Sequence, residues 1–169
     1  MVKKSKKYGK KRLVRLSAAL LASLAALPAA RAQTLSCNRS LVFGDFVTCG
    51  VTDTVTITPS GGRSVAGCVN AGPAPFNPAQ CNVNVPSLPQ QLVVSITSTA
   101  YEISNGTAKM DVNNFQCKYQ GSNGSVTGNC PHTTTGNFLL MDIGADLVVG
   151  NPQPSGTYSG TFTVNVNFN

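Results

Sequence analysis

Groups able to do acid-base chemistry are scarce in this chain: it carries six aspartates and glutamates and one histidine in 169 residues. Catalysis by a general acid and base needs such groups held together, so their scarcity argues against an enzyme. Neither a Gly-x-Ser-x-Gly nucleophile elbow nor a His-Glu-x-x-His site occurs. No Cys-x-x-Cys pair accompanies the lone His132, which removes the usual zinc patterns. Asp45, Asp53 and Asp111 are scattered without the Asp-x-Asp spacing of a calcium loop. Asp142 and Asp146 flank Gly144 and read as solvated residues of a strand-turn-strand rather than as a carboxylate pair. His132, beside Pro131 and a threonine run, reads as an exposed loop residue. The expectation is a protein with no catalytic residues, no metal and no cofactor, in which nothing reads as a long helix.

The positive charge is not where a binding surface would need it. The segment "MVKKSKKYGKKRLVR" carries eight lysines and arginines, and the apolar run "LSAALLASLAALP" that follows is too short to span a bilayer. With small residues at Ala30 and Ala32, this reads as a secretory signal peptide, residues 1–32, cut between Ala32 and Gln33. Its removal leaves Arg39, Arg63, Lys109 and Lys118 against all six acids, a formal charge of −2. Nucleic acid and anionic membranes need clustered basic residues, so neither is an expected partner. No second apolar run follows, so no membrane span is expected after cleavage.

All six cysteines, Cys37, Cys49, Cys68, Cys81, Cys117 and Cys130, lie in the exported part. An even number in a secreted chain reads as three disulfides, for which fifteen pairings are open. Pairing of neighbours is expected: Cys37 with Cys49, Cys68 with Cys81 and Cys117 with Cys130, each closing a loop of about a dozen residues worth about 3 kcal/mol.

What remains, residues 33–169, is the size of one domain. Short runs rich in Val, Ile, Thr and Phe ("SLVFGDFVT", "DTVTITPSGG", "QLVVSITSTAYEI", "AKMDVNNFQCKY", "NFLLMDIGADLVVG") are separated by Gly, Pro, Asn and Ser clusters. The pattern predicts an all-β, immunoglobulin-like antiparallel β-sandwich. "AGPAPFNPAQ", residues 71–80, reads as an exposed loop between Cys68 and Cys81, and Asn123-Gly124 as the tip of a hairpin tied by Cys117 and Cys130. At the end of the chain Phe162, Val164, Val166 and Phe168 alternate with polar residues. A strand of eleven residues, Tyr158 to Phe168, is expected there, about twice the common length. An edge of that length needs a cover.

"LVFGDF", "DTVTITPSGGRSVAG", "LVVSITSTAYEISNGTAKMDVNNFQC" and "GADLVVGNPQPSGTYSGTFTVNVNF", in that order, resemble a bacterial secreted domain family of unknown function similar to spore coat protein U and the pilins of archaic chaperone/usher systems. The resemblance covers nearly all of residues 41–168. It implies an incomplete sandwich that passes through the periplasm and is displayed on the cell surface as a fimbrial or pilus subunit in cell adhesion. Its partners would be a periplasmic chaperone, an usher and other pilin-like subunits. In such pilins the last strand is the partner-strand handle, marked by a penultimate aromatic residue and a glycine fourteen positions from the end; Phe168 and Gly156 stand there. The handle would comprise Gly156, Tyr158, Phe162, Val164, Val166 and Phe168, paired along their backbone and held in register by their apolar side chains. The alternating N-terminal extension of a shaft pilin has no counterpart, because only "QTLS" separates the expected cut from Cys37. The alternative is a self-complete, monomeric secreted sandwich that binds an unknown ligand, since any half-buried strand alternates in this way.

Overall fold

Among the described residues there are thirteen strands and no helix, and the longer strands of the core carry apolar side chains at every second residue. The structure is a computed structural model and describes residues 34–85, 90–96, 101–122, 124–134 and 136–168. The expected signal peptide and Asn123 of the expected hairpin tip lie outside the described residues.

In chain order the strands are β1 (Thr34–Arg39), β2 (Phe46–Val47), β3 (Asp53–Ile57), β4 (Arg63–Ala66), β5 (Asn70–Ala71), β6 (Ala79–Asn84) and β7 (Gln90–Ile96). Then come β8 (Tyr101–Ser104), β9 (Lys109–Tyr119), β10 (Val126–Thr127), β11 (Cys130–Thr134), β12 (Phe138–Val149) and β13 (Val164–Phe168). All pair antiparallel, in an eight-stranded sheet, a three-stranded sheet ordered β11-β7-β13, and the small pair β2-β5. The fold is the expected antiparallel β-sandwich.

The long strand β12 organises the large sheet. One edge pairs with β9, while the other pairs with β6 through Phe138 to Ile143 and with β3 through Ala145 to Val149. Leu139, Met141, Ile143, Ala145, Leu147 and Val149 all point into the core. That unbroken parity means the chain runs straight through Gly144, which corrects the strand-turn-strand expectation for Asp142 and Asp146. Gly144 marks instead the place where β12 crosses the end of β3. A Cβ there would overlap the Ile57 carbonyl and stand 2.8 Å from the Thr58 and Pro59 backbone.

Strand β9 does change parity. Met110 and Val112 are buried before Asn113-Asn114, and Phe115, Cys117 and Tyr119 after it. A one-residue bulge opposite Ala145 shifts the pleat, with Asn114 at φ 49°. Asparagine tolerates that left-handed conformation, and its Nδ2 donates to Asp146 Oδ2 at 2.9 Å. The bulge thereby keeps both halves of the apolar stripe facing inward.

Three disulfides close the domain, as the cysteine count predicts, but two of the three neighbour pairings are wrong. The bonds are Cys37–Cys81, Cys49–Cys68 and Cys117–Cys130. Cys37 faces Cys81 because β1 lies antiparallel on β6. Cys49 reaches Cys68 because the β3-β4 hairpin and the β2-β5 pair bring the turns before β3 and after β4 together. Cys117–Cys130 is the expected pair, and it joins β9 of the large sheet to β11 of the small one. Loops of 44, 19 and 13 residues are worth from about 3 to about 4 kcal/mol each in the chain-entropy picture. The unreduced, unfolded protein is expected to bind no thiol reagent, and a non-reducing peptide map to link 37 with 81, 49 with 68 and 117 with 130. Two or more labelled cysteines would contradict the arrangement.

Beside that inter-sheet bond the Tyr119 hydroxyl donates to the Cys130 carbonyl, and its ring stacks on His132 with centroids 4.3 Å apart. His132 therefore sits on β11 against the second sheet, which corrects its reading as an exposed loop residue. Burial lowers its pKa, so protonation in acid works against the folded state below the ordinary imidazole value. Burial also pushes the Tyr119 phenol well above its usual range. The unfolded chain loses that proton first, so stability is complete below about pH 10 and falls as pH rises beyond it. Tyr119→Phe should cost about 1 kcal/mol at neutral pH through the lost hydrogen bond. Urea midpoints should show the variant losing less than the parent between about pH 8 and about pH 10.5; an equal loss would remove Tyr119 as the source.

Candidate partner-strand groove

The segment from Ser40 to Thr48, expected as a strand, makes only a bridge at Val42 and the two residues of β2. Polar contacts hold it off the sheet. Val42 and Asn77 exchange both backbone bonds at 2.9 and 3.0 Å, and Asn77 Nδ2 donates to the Ser40 carbonyl at 2.6 Å. Asp45 accepts from the Ala74 N–H at 2.9 Å, and Gly72 N–H donates to the Asp45 carbonyl at 3.0 Å. Arg63 braces the same wall: its guanidinium donates to the carbonyls of Phe43 at 3.3 Å and Gly72 at 2.6 Å and lies 4.4 Å from the Phe76 ring centroid. These bonds assign a physical role to the Phe-Gly-Asp-Phe stretch and to the arginine after Ser-Gly-Gly. They form one side of a groove.

The other side is the end of the chain, and it is not one eleven-residue strand. Ser159 exchanges backbone bonds with Ser104 of β8 at 2.9 and 3.0 Å, after which the chain leaves the large sheet and joins β7 of the small sheet as β13, five residues long. Gly160 stands at the crossing, where a Cβ would press on the Glu102 carbonyl. The switch between sheets, invisible in an alternation pattern, divides the expected strand.

Between these walls lies a groove of about 1190 Å³. Its floor is Met110, Val112, Phe115 and Leu147, and its far wall carries Tyr101, Ile103, Tyr158, Phe162 and Val164. Three rings meet there, with centroids 5.6 Å apart for Tyr101 and Phe115, 5.0 Å for Phe115 and Phe162, and 6.2 Å for Tyr101 and Phe162. Leu41, Phe46, Phe162 and Val164 are only half-buried, packed against the core on one side and open to the groove on the other. An apolar furrow of this shape suits an extended chain with apolar side chains at alternate positions.

The six expected handle residues divide within this geometry. Gly156, Tyr158, Phe162 and Val164 line the groove. Gly156 lies beside Asn105 rather than on a strand, and the Tyr158 hydroxyl donates to the Pro154 carbonyl at 2.6 Å. Val166 is half-buried against the core on β13. Phe168 pairs through its backbone with Leu92. Strand β13 has β7 on one side, and no described strand flanks the other.

The acidic residues are used elsewhere and separately. Asp53 is buried, its Oδ2 accepting the Cys68 and Val69 N–H groups at 3.0 Å each. Among the described residues the one cluster with metal-ligand spacing is Cys49, Asp53 and Cys68, and its two sulfurs are bonded to each other. Asp111 lies opposite Glu102 across β8 and β9. Asp142 pairs with Arg39 at 2.9 Å, and Asp146 accepts from Thr56 at 2.6 Å. Four residues along one strand separate those two carboxylates by about 13 Å, beyond both spacings used in glycoside hydrolysis. The sequence reading missed the Ser40–Thr48 wall because it alternates like a strand, and missed that Tyr101 and Phe115 face the chain end because strand order across two sheets is not written in any local pattern.

No curated protein and no solved structure matches the chain. The family model for a domain of unknown function, DUF4402, matches residues 34–168, which include the whole groove and all six cysteines, and the chain belongs to that family.

Proposed function

We propose that the protein is a secreted structural or adhesive subunit of a bacterial cell surface, pilin-like, assembled through its C-terminal strand. The observation that carries this is the apolar groove between residues 40–48 and the chain end, together with β13 at the margin of its sheet. A partner strand entering the groove would lie along the chain end and cover Phe162 and Val164, with backbone bonds giving affinity and alternate side chains giving register. The fitting partners are a periplasmic chaperone, an usher and other pilin-like subunits. Cys37–Cys81 fastens β1 to β6, so residues 34–39 are held by their own sheet. That favours a subunit that accepts a strand without giving one.

One observation favours the monomeric alternative: β13 already pairs with β7 of its own chain at five positions. Light scattering after gentle chromatography of the protein recovered from the periplasm separates the two. A co-eluting chaperone, or masses in a ladder of multiples, is the expected result. A clean monomer that melts cooperatively would establish the self-complete sandwich instead. No hydrolase activity is part of this reading, and turnover lost on mutating Asp142 or Asp146 would overturn it.

A further inference from the structure

A second site lies on the outward face of the large sheet. The register places Lys118 of β9 beside Asp142 of β12, Asp142 beside Gln80 of β6, and Gln80 beside Arg39 of β1. Their neighbours Cys117, Tyr119, Met141, Ala79 and Cys81 all point into the core, so the four polar side chains form one row facing solvent. The row crosses three gaps between strands, about 14 Å in all. The Ser60 turn, the Phe76 to Pro78 loop and the Gln120 turn border it, leaving an open cleft of about 550 Å³.

The hydrogen bonds inside the row are incomplete in an informative way. Asp142 Oδ1 accepts both Arg39 Nη2 at 2.9 Å and Gln80 Nε2 at 3.0 Å, while Oδ2 has no partner among the described residues. Arg39 spends its Nε on the Pro78 carbonyl and Nη2 on Asp142, leaving Nη1. Lys118 has one partner, the neutral Ser60 hydroxyl at 3.3 Å. By contrast Lys109 pairs with Glu102, and Arg63 is used on carbonyls and the Phe76 ring. The cleft thus offers cationic donors at both ends and acceptors, Asp142 Oδ2 and Gln80 Oε1, between them. It holds two of the four basic residues in residues 34–169 against one acid.

We propose that this row binds an acidic saccharide, a short pyranose chain bearing carboxylates. Sugar hydroxyls both donate and accept, which matches the alternating groups, and ring carboxylates match Lys118 and the free edge of Arg39. Free phosphate is too small to reach both cations across about 14 Å and would meet the Asp142 carboxylate at the centre, where a saccharide presents hydroxyls. Phe76 adds an apolar surface at the cleft wall. Of its lining residues the cleft shares only Arg39 with the groove, and the proposal does not rest on polymerisation.

The test is calorimetric titration of the disulfide-bonded protein with trigalacturonate and with its fully methyl-esterified form, which keeps the shape and removes the charge. Saturable binding of the acid, about tenfold weaker for the ester, is expected. Lys118→Gln should weaken the acid by about tenfold with its melting temperature unchanged. Asp142→Asn, which puts a donor where Oδ2 accepts, should weaken the uncharged ester, and an ester bound as well by this variant as by the parent would overturn the part given to Asp142. No saturable binding, equal affinity for the ester, or unchanged affinity in Lys118→Gln would each overturn the proposal.

Discussion

Gly144→Ala is expected to cost at least about 3 kcal/mol of stability, lowering the melting temperature by about 10 °C. One methyl group has this effect because of what surrounds it. Gly144 lies in the middle of β12, where one edge changes partner from β6 to β3, and an added Cβ would overlap the Ile57 carbonyl and crowd the next two backbone units. Backbone atoms cannot rotate aside as a side chain can, so β3 or β12 must move and the ladder between them must open. Gly124→Ala is the control, since nothing lies within 4 Å of a Cβ there; it should be neutral or slightly stabilising. Thermal melts of the two variants decide the matter, and equal melting temperatures would refute the close crossing.

Val166→Asp should be the most damaging change on the last strand, while Asn167→Asp, one residue on, should alter stability by no more than about 0.5 kcal/mol. The two variants add the same charge to the same strand. Val166 packs against the core opposite Val94, whereas Asn167 points to solvent. A carboxylate at the first position must be desolvated beside apolar neighbours without a counter-ion, a cost of several kcal/mol or a displaced strand. Folded yield and the mass of the periplasmic species should both fall for Val166→Asp and for it alone. If the two variants behave alike, β13 is not seated in the register described, and its part in any assembly falls with it.

The class of fold was legible because period-two alternation is a local property. It marked β3, the first half of the run that became β7 and β8, and both long strands β9 and β12. The odd-numbered apolar series from Leu139 to Val149 excludes a turn at Gly144, and the change from even to odd between Val112 and Phe115 announces the bulge. Ala79, Cys81, Val83 and Val85 alternate as cleanly, yet prolines upstream drew residues 71–80 into a single loop and hid β6. What alternation cannot carry is which strand lies beside which. Two of the expected disulfide pairs fail for that reason, because cysteines near along the chain are not the ones brought near across a sheet. The groove was hidden likewise, since its walls come from chain segments more than one hundred residues apart.

The order of the crosslinks also decides how the domain answers tension. Pulled from Thr34 and from the end of β13, the chain meets Cys37 three residues on, and the load passes straight to Cys81. The stretch between them, a sequence separation of 44 that includes β2 to β5 and the braced wall of the groove, cannot be drawn out. That withholds about 15 nm of slack that a reduced chain would release. A second lock holds the stretch from Cys117 to Cys130, a sequence separation of 13. Tension therefore falls on the small sheet and the last strand, and the wall of the groove facing them keeps its shape until β13 has been stripped from β7.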